Sequence, residues 1–181
     1  MPLTREQELR CAELLRQLTY PTKTTELFEA ILNRVVTSAF ELAVLRPTGN
    51  VLCPEVLLIW RKDKHFKGWH MPGTMILGDN SLEDVFTRLV DREIGLSLER
   101  PPRFVHRFFT PKGTGPGDNP RGTEIGLLHL SYVVPKAFAE EPRQGDFFLL
   151  THIPKDTLEH HKRMIMYLES ELRDSKYKPH R

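Results

Sequence analysis

The stretch from Gly68 to Leu96, GWHMPGTMILGDNSLEDVFTRLVDREIGL, gathers residues able to hold a hard cation. Glu93 offers a carboxylate, and the tight turn MPG, Met71 to Gly73, offers backbone carbonyls. Oxygen donors of this kind suit Mg²⁺, which keeps several waters and takes other ligands from substrate phosphates. Arg92 and Glu93 stand three and four residues after Leu89, so on a helix they project near it at the border of the apolar stripe. From there Glu93 either reaches into a cleft between helix and sheet or pairs with an arginine on the helix surface. The residues alone leave both open.

Other reactive residue types are weaker signals. His160 and His161 are adjacent, and neighbours on a helix point roughly 100° apart, so they are expected to form a surface patch rather than chelate together. His106 and His129 alternate with apolar residues in strand-like runs, which suggests structural histidines, with the central cleft as the other place they could face. Trp60 and Trp69 flank RKDKHFKG, where they could stack on a base or fill the core. GTGPGDNPRG lacks the spacing of a phosphate loop, and the whole segment from Pro111 to Glu124 reads as a long mobile loop, a lid or a specificity loop.

These groups need elements to position them. Ser81 is a good N-cap, Asp84 completes a capping box, and acids in the first turn favour the helix dipole. Leu82, Val85, Phe86, Leu89 and Val90 then form an apolar stripe, and Gly95 is suited to end the helix. Ahead of it, SAFELAVLR alternates like a strand, PTGN reads as a turn, and EVLLIWR is a continuous apolar run fit for a buried strand. RFVHRFF, IGLLHLSYVV and FFLL read as further strands, followed by a helix from about Asp156. Two helices come first: one opened by a Thr4–Gln7 capping box with Leu9, Leu14, Leu15 and Leu18 in a stripe, the other in TTELFEAILNRVV. They are expected to cover the core, with a homodimer contact as the alternative. The order is not the regular alternation of a doubly wound sheet and predicts a mixed sheet with helices on both sides.

Composition narrows the classes. A chain of 181 residues with 39% hydrophobic residues can build the core of one ordinary domain. A formal charge of +2 without long runs of like charge argues against a nucleic-acid partner. Cys11 and Cys53 lie far apart, which argues against a disulfide framework. The N-terminal MPLTREQELR lacks a signal peptide's apolar core, so a cytoplasmic protein without a membrane partner is expected.

The central stretch resembles the Nudix box, G-x5-E-x7-R-E-U-x-E-E-x-G-U with U a bulky apolar residue. Without gaps, the first glycine falls on Thr74, just after Gly73, and the first glutamate on Asn80. The arginine is Arg88, the next glutamate position is Leu89, and the apolar position is Val90. The two late glutamates fall on Arg92 and Glu93, and Gly95-Leu96 closes the motif. The resemblance implies a Nudix-type α/β/α sandwich around a mixed sheet over residues 38–175, with an N-terminal helical extension (1–37) and a flexible tail (176–181). Only Glu93 remains of the glutamates after the arginine. A leucine directly after the arginine, with only the last glutamate kept, is similar to the GDP-mannose mannosyl hydrolase branch.

That resemblance implies an Mg²⁺- or Mn²⁺-dependent hydrolase of a nucleoside diphosphate derivative, most plausibly a nucleotide sugar such as GDP-mannose. Glu93 and the Gly73 carbonyl would hold the metal, and Arg88 and Arg61 would neutralise the leaving nucleotide. Glu41 falls where the branch carries an aspartate on its first strand and would bind substrate. One metal can suffice there because water attacks sugar C1 and only a diphosphate leaving group needs stabilising. The branch's catalytic histidine position falls on Gln144 or Gly145, leaving Asp146 as the nearest candidate base. A catalytically silent nucleotide-binding or protein-interaction module of the same fold is the alternative.

Overall fold

A computed structural model describes residues 2–17, 24–49, 53–76 and 81–174. The elements are α1 (Arg5–Arg16), α2 (Thr25–Leu32), β1 (Thr37–Arg46), β2 (Glu55–Lys62), β3 (Lys67–His70), β4 (Gly73–Met75), α3 (Leu82–Leu89), β5 (Arg103–Thr110), β6 (Glu124–Tyr132), β7 (Asp146–Leu149) and α4 (Glu159–Arg173). Short π and 3₁₀ turns occupy Val90–Ile94 and Pro135–Ala137.

The strands form one mixed sheet of order β3-β2-β1-β6-β5, as the sequence pattern predicts. β1 and β6 are parallel, from Thr37 opposite Glu124 to Leu45 opposite Tyr132, and the remaining pairs are antiparallel. Both central strands are buried on two faces, so β1, whose sequence alternates, is covered along nearly its whole length. One face packs against α3 through Phe40, Leu42, Val44, Leu57, Val85, Phe86 and Leu89. The other packs against α4 through Ala43, Leu58, Leu128, Met164, Ile165 and Leu168. Each such fully buried apolar side chain contributes about 1.5–3 kcal/mol.

α3 has the expected Ser81–Asp84 capping box, but Leu82 is exposed, because the first turn stands clear of the sheet. β3 and β4 are absent from the sequence reading: four and three residues are too short to show a period. α4 starts at Glu159, later than Asp156, after a Pro154–Thr157 turn.

Two expectations are overturned. α1 has its Thr4–Gln7 capping box but buries none of its residues, and Leu9, Leu14 and Leu15 face solvent, so this helix does not cover the core. α2 does pack, through Leu32 and the partly buried Phe28. The second correction is Pro111–Glu124, which is folded back rather than loose. Gly113 donates to Asn119, Asn119 donates to Pro111, and Lys112 reaches Thr123 and, through Nζ, Asn33. Leu18, Asn80 and the tail 176–181 lie outside the described residues. No helix among the described residues is long and apolar enough to cross a membrane.

Candidate active site

β1 divides its edge between two partners. Leu45 and Arg46 pair with Val56 and Glu55 of β2, while Ala39, Phe40 and Glu41 pair with Met75, Thr74 and Gly73 of β4. β2 then leaves with β3, pairing Ile59 with His70 and Arg61 with Gly68. Where the strands part, a cleft of about 460 Å³ opens. Its walls hold three carboxylates (Glu41, Glu93, Glu124), two arginines (Arg61, Arg121) and three imidazoles (His70, His160, His161).

Glu41 is the most constrained of these. It is only 7% exposed, and its Oε2 has no hydrogen-bond partner. A Cβ added at Gly73 would lie 2.2 Å from that oxygen, so the glycine is what lets the carboxylate occupy its place. Burial, reinforced by the charge of Glu124, pushes the Glu41 carboxyl well above the usual range, against the pull of Arg121 and Arg61. Burial also raises Glu93, with Arg61 opposing, and Glu124, with Arg121 and Arg61 opposing. Glu93 lies in the π turn, where Gly95 donates to Val90 at 2.7 Å and takes a left-handed φ of 72°. Such turns recur at functional sites because the wider coil re-aims a side chain.

An unpartnered buried carboxylate oxygen is costly, and a cation is the partner its chemistry calls for. Among the described residues no three His, Cys, Asp or Glu side chains already form a metal-holding group. Carboxylate and carbonyl oxygens suit Mg²⁺, which needs only one or two carboxylates beside water and phosphate. Glu93, Glu41 and the Gly73 carbonyl are the residues that would hold it.

The cations come from different elements, Arg61 from β2 and Arg121 from the segment ahead of β6. Arg61 pairs with Asp63 at 2.5 Å and stands over the Phe66 ring at 4.7 Å. Arg121 stands over the same ring at 5.1 Å, and its Nε is buried without a partner.

The imidazoles correct the surface-patch reading of His160-His161. His161 is 4% exposed, and its ring centre is 4.4 Å from His160 and 5.4 Å from His70. His160 packs on Phe66, so α4 turns this pair inward instead of to solvent. Burial, followed by the neighbouring rings and arginines, lowers His161 well below the usual histidine value and His160 to about 4. Burial and then Arg61 take His70 to about 4 as well. The Nδ1–H of His70 donates to the Met71 carbonyl at 2.6 Å, which leaves Nε2 as the acceptor of the neutral ring. A histidine kept neutral by folding must charge on unfolding, so its contribution to stability is lost as pH falls from about 6.5 towards 4. His160→Asn should remove part of that slope: over this window its urea midpoint should fall less than the wild type's, by a difference of ~2–3 kcal/mol at pH 4. Parallel midpoints across the window would show that His160 is not held neutral.

Residues 37–167 match the NUDIX domain, most of the chain. The chain belongs to the NUDIX domain family. No curated protein matches it by sequence. Solved structures share the fold. A MutT/nudix family protein from Enterococcus faecalis is 16% identical, with 99% of this chain and 78% of that one covered and a TM-score of 0.56. The NUDIX domain of Shewanella oneidensis NrtR, complexed with ADP ribose, is 15% identical over 82% and 99%, with a TM-score of 0.57. A possible asymmetric diadenosine tetraphosphate hydrolase from Jonesia denitrificans is 12% identical over 77% and 96%, with a TM-score of 0.61.

Placed on the structure, the Nudix box divides. Glu93 and Gly73 line the cleft with Glu41 and Arg61. Leu89 is spent on the core and Arg92 faces solvent. Arg88 lies outside the cleft lining, and its Nη2 donates to the Met75 carbonyl, tying α3 to β4. Asp146 is exposed on β7 and does not line the cleft, whereas Gln144 does. His129 stacks on Phe40 and His106 on Tyr167, both outside the cleft. Trp60 lines the cleft edge, while Trp69 packs inward on Phe148. Glu124, Arg121 and the imidazole trio were not singled out by sequence reasoning as cleft residues. The one local signal for Glu124 is an acid at the head of an otherwise apolar strand.

Proposed function

We propose that this Nudix protein is an Mg²⁺- or Mn²⁺-dependent hydrolase of a nucleoside diphosphate derivative, with a nucleotide sugar such as GDP-mannose as its substrate. The observation that carries this reading is the unpartnered Glu41 carboxylate, seated against Gly73 in one cleft with Glu93 and Arg61. The ADP ribose of the NrtR complex and the tetraphosphate of the Jonesia protein's name belong to those proteins, and both are nucleoside phosphates of the same broad class.

Bound beside these carboxylates, the metal supplies a counter-charge for a departing diphosphate. Arg61 orients that diphosphate and shares its charge, while Arg88 acts by holding α3 to β4. Water oxygen bonds to the anomeric carbon, the carbon–oxygen bond to the diphosphate breaks, and the diphosphate keeps the electron pair. His70, with Nε2 unprotonated, takes the proton of the water, a role for which Asp146 stands too far outside the cleft lining. Few carboxylates on the helix, with two more on the strands, suit loss of an intact diphosphate better than attack at phosphorus, where several cations are usually gathered.

The second reading, a nucleotide-binding or protein-interaction module without turnover, is favoured by Gln144, which lines the cleft but cannot act as a base near neutral pH. A panel of nucleotide sugars, dinucleotides and nucleoside triphosphates, with Mg²⁺ and with Mn²⁺ in oxygen-18 water, separates the two. The expected products are nucleoside diphosphate and free sugar, with the label on the sugar. Label on phosphate, or release of a nucleoside monophosphate, places the attack at phosphorus. Nucleotide binding without turnover across the panel establishes the silent module.

A further inference from the structure

The cleft holds a guanidinium, that of Arg121, whose buried Nε has no hydrogen-bond partner. Asp63 is committed to Arg61, which it meets through both Nε and Nη2. Glu29, across the rim, is committed to Lys64 and His65. Glu124, Asp63 and Glu41 act on Arg121 through charge, against its burial, and none of them partners its Nε. The imidazoles are held neutral by the same burial. An arginine cannot escape by losing its proton, so the guanidinium stays charged and its buried Nε–H stays unpaired.

The chain invests in holding it there. The Arg121 backbone N–H donates to Asn119 Oδ1, and Asn119 is itself buried. The next residue, Gly122, lies so close to α2 that a Cβ would fall 2.3 Å from the Leu32 carbonyl oxygen. The folded Gly- and Pro-rich segment thus presents one arginine to the cleft at a fixed place. Arg61 comes from β2 to the same aromatic ring, and the two planar cations share Phe66 as a platform.

We propose that Arg61 and Arg121, set on the Phe66 ring, form a phosphate clamp whose second arm is supplied by the Pro111–Glu124 segment. Set on one ring, the Arg121 fork and the charge of Arg61, whose own Nε and Nη2 are held by Asp63, suit the oxygens of a phosphoanion, which would satisfy the buried Arg121 Nε–H and offset the mutual repulsion of the arginines. The clamp rests on the hydrolase reading for its place in a reaction, but its existence requires no turnover. It also places the diphosphate: between the strand carboxylates and the folded segment, on the Arg121 side of the cleft. Lysine at 121 would keep the charge and lose the fork.

Calorimetric titration with inorganic pyrophosphate and with ADP, in metal-free buffer, reads the clamp directly. Wild type should bind both, Arg121→Ala should bind each about 10- to 100-fold more weakly, and Arg121→Lys should recover only part of the loss. Binding of pyrophosphate alone would mark the clamp as a site for free inorganic anion, and binding of both marks the phosphates of a nucleotide. If Arg121→Ala melts far below wild type, the Lys variant decides. A Lys variant that binds as wild type does would leave a point charge and no clamp. Wild type that binds neither ligand at millimolar concentration overturns the proposal outright. The two readings fail separately: binding without catalysis on the substrate panel removes the hydrolase and keeps the clamp, while turnover indifferent to Arg121 does the reverse.

Discussion

Glu93→Gln will cut metal-dependent turnover about 10²- to 10³-fold and leave the fold intact. The side chain is the only glutamate of the Nudix box after Arg88, it is half-buried, and it opens onto the cleft from the π turn. Gln keeps the shape and removes the charge, so little packing changes. Burial already disfavours the Glu93 carboxylate, which makes its ionised form costly in the free protein and useful only when a cation balances it. Removing one such ligand should cost about 10- to 100-fold in metal affinity, and removing charge stabilisation from the departing diphosphate should cost about 10²–10³ in kcat. Calorimetry with Mn²⁺, a thermal melt and the substrate panel together check the point. Unchanged Mn²⁺ affinity would remove Glu93 from the metal site.

The second large effect has the opposite sign in the free protein. Glu41→Gln should stabilise the metal-free fold at neutral pH while weakening its response to Mg²⁺. The Glu41 carboxyl is raised in the folded state, so the folded protein holds its proton more tightly than the unfolded chain does. The Glu41 contribution to stability is therefore fully present at and below the ordinary glutamate pKa of about 4.5 and is lost as pH rises above it. Gln carries no such penalty, and the difference should grow from near zero at pH 4.5 to ~1–3 kcal/mol at pH 7.5. For a domain of this size that raises Tm by roughly 2–4 °C for each kcal/mol. Saturating Mg²⁺ should narrow the gap by stabilising wild type alone. A variant that melts below wild type at pH 7.5 without metal would mean that Glu41 is satisfied by something other than a cation.

The α3 helix, the four long strands β1, β2, β5 and β6, and α4 were legible because each buries a face long enough to impose its period on the sequence, and the four-residue β7 showed only as the apolar run FFLL. The cleft was legible only where the box is local. Glu93 and Gly73 lie within one turn-and-helix segment, and their meeting follows from that segment alone. Glu124 and Arg121 reach the cleft because β6 runs parallel to β1, setting Glu124 opposite Thr37 at a separation no local pattern reports. His70 and His161 meet because the β3 end and α4 close on each other from far along the chain. Two readings failed on local grounds. A Gly- and Pro-rich composition suggested looseness at Pro111–Glu124, where side-chain and backbone hydrogen bonds instead fold the segment. An amphipathic pattern suggested burial for α1, yet a stripe of leucines specifies only that a helix could pack, and this one has no partner surface within the described chain.

The contact between Glu41 and Gly73 also constrains inheritance. Since a side chain at 73 would displace the carboxylate that stands opposite, position 73 cannot drift ahead of position 41 without moving the acid. A lineage that gave up the acid could admit alanine or serine at 73, but one that admitted the side chain first would lose both the fold's local fit and the acid's place. Among descendants of this gene the two sites should therefore change in a fixed order, acid first. A sequence carrying Glu at 41 with anything but Gly at 73 should mark a protein whose β1–β4 register has shifted.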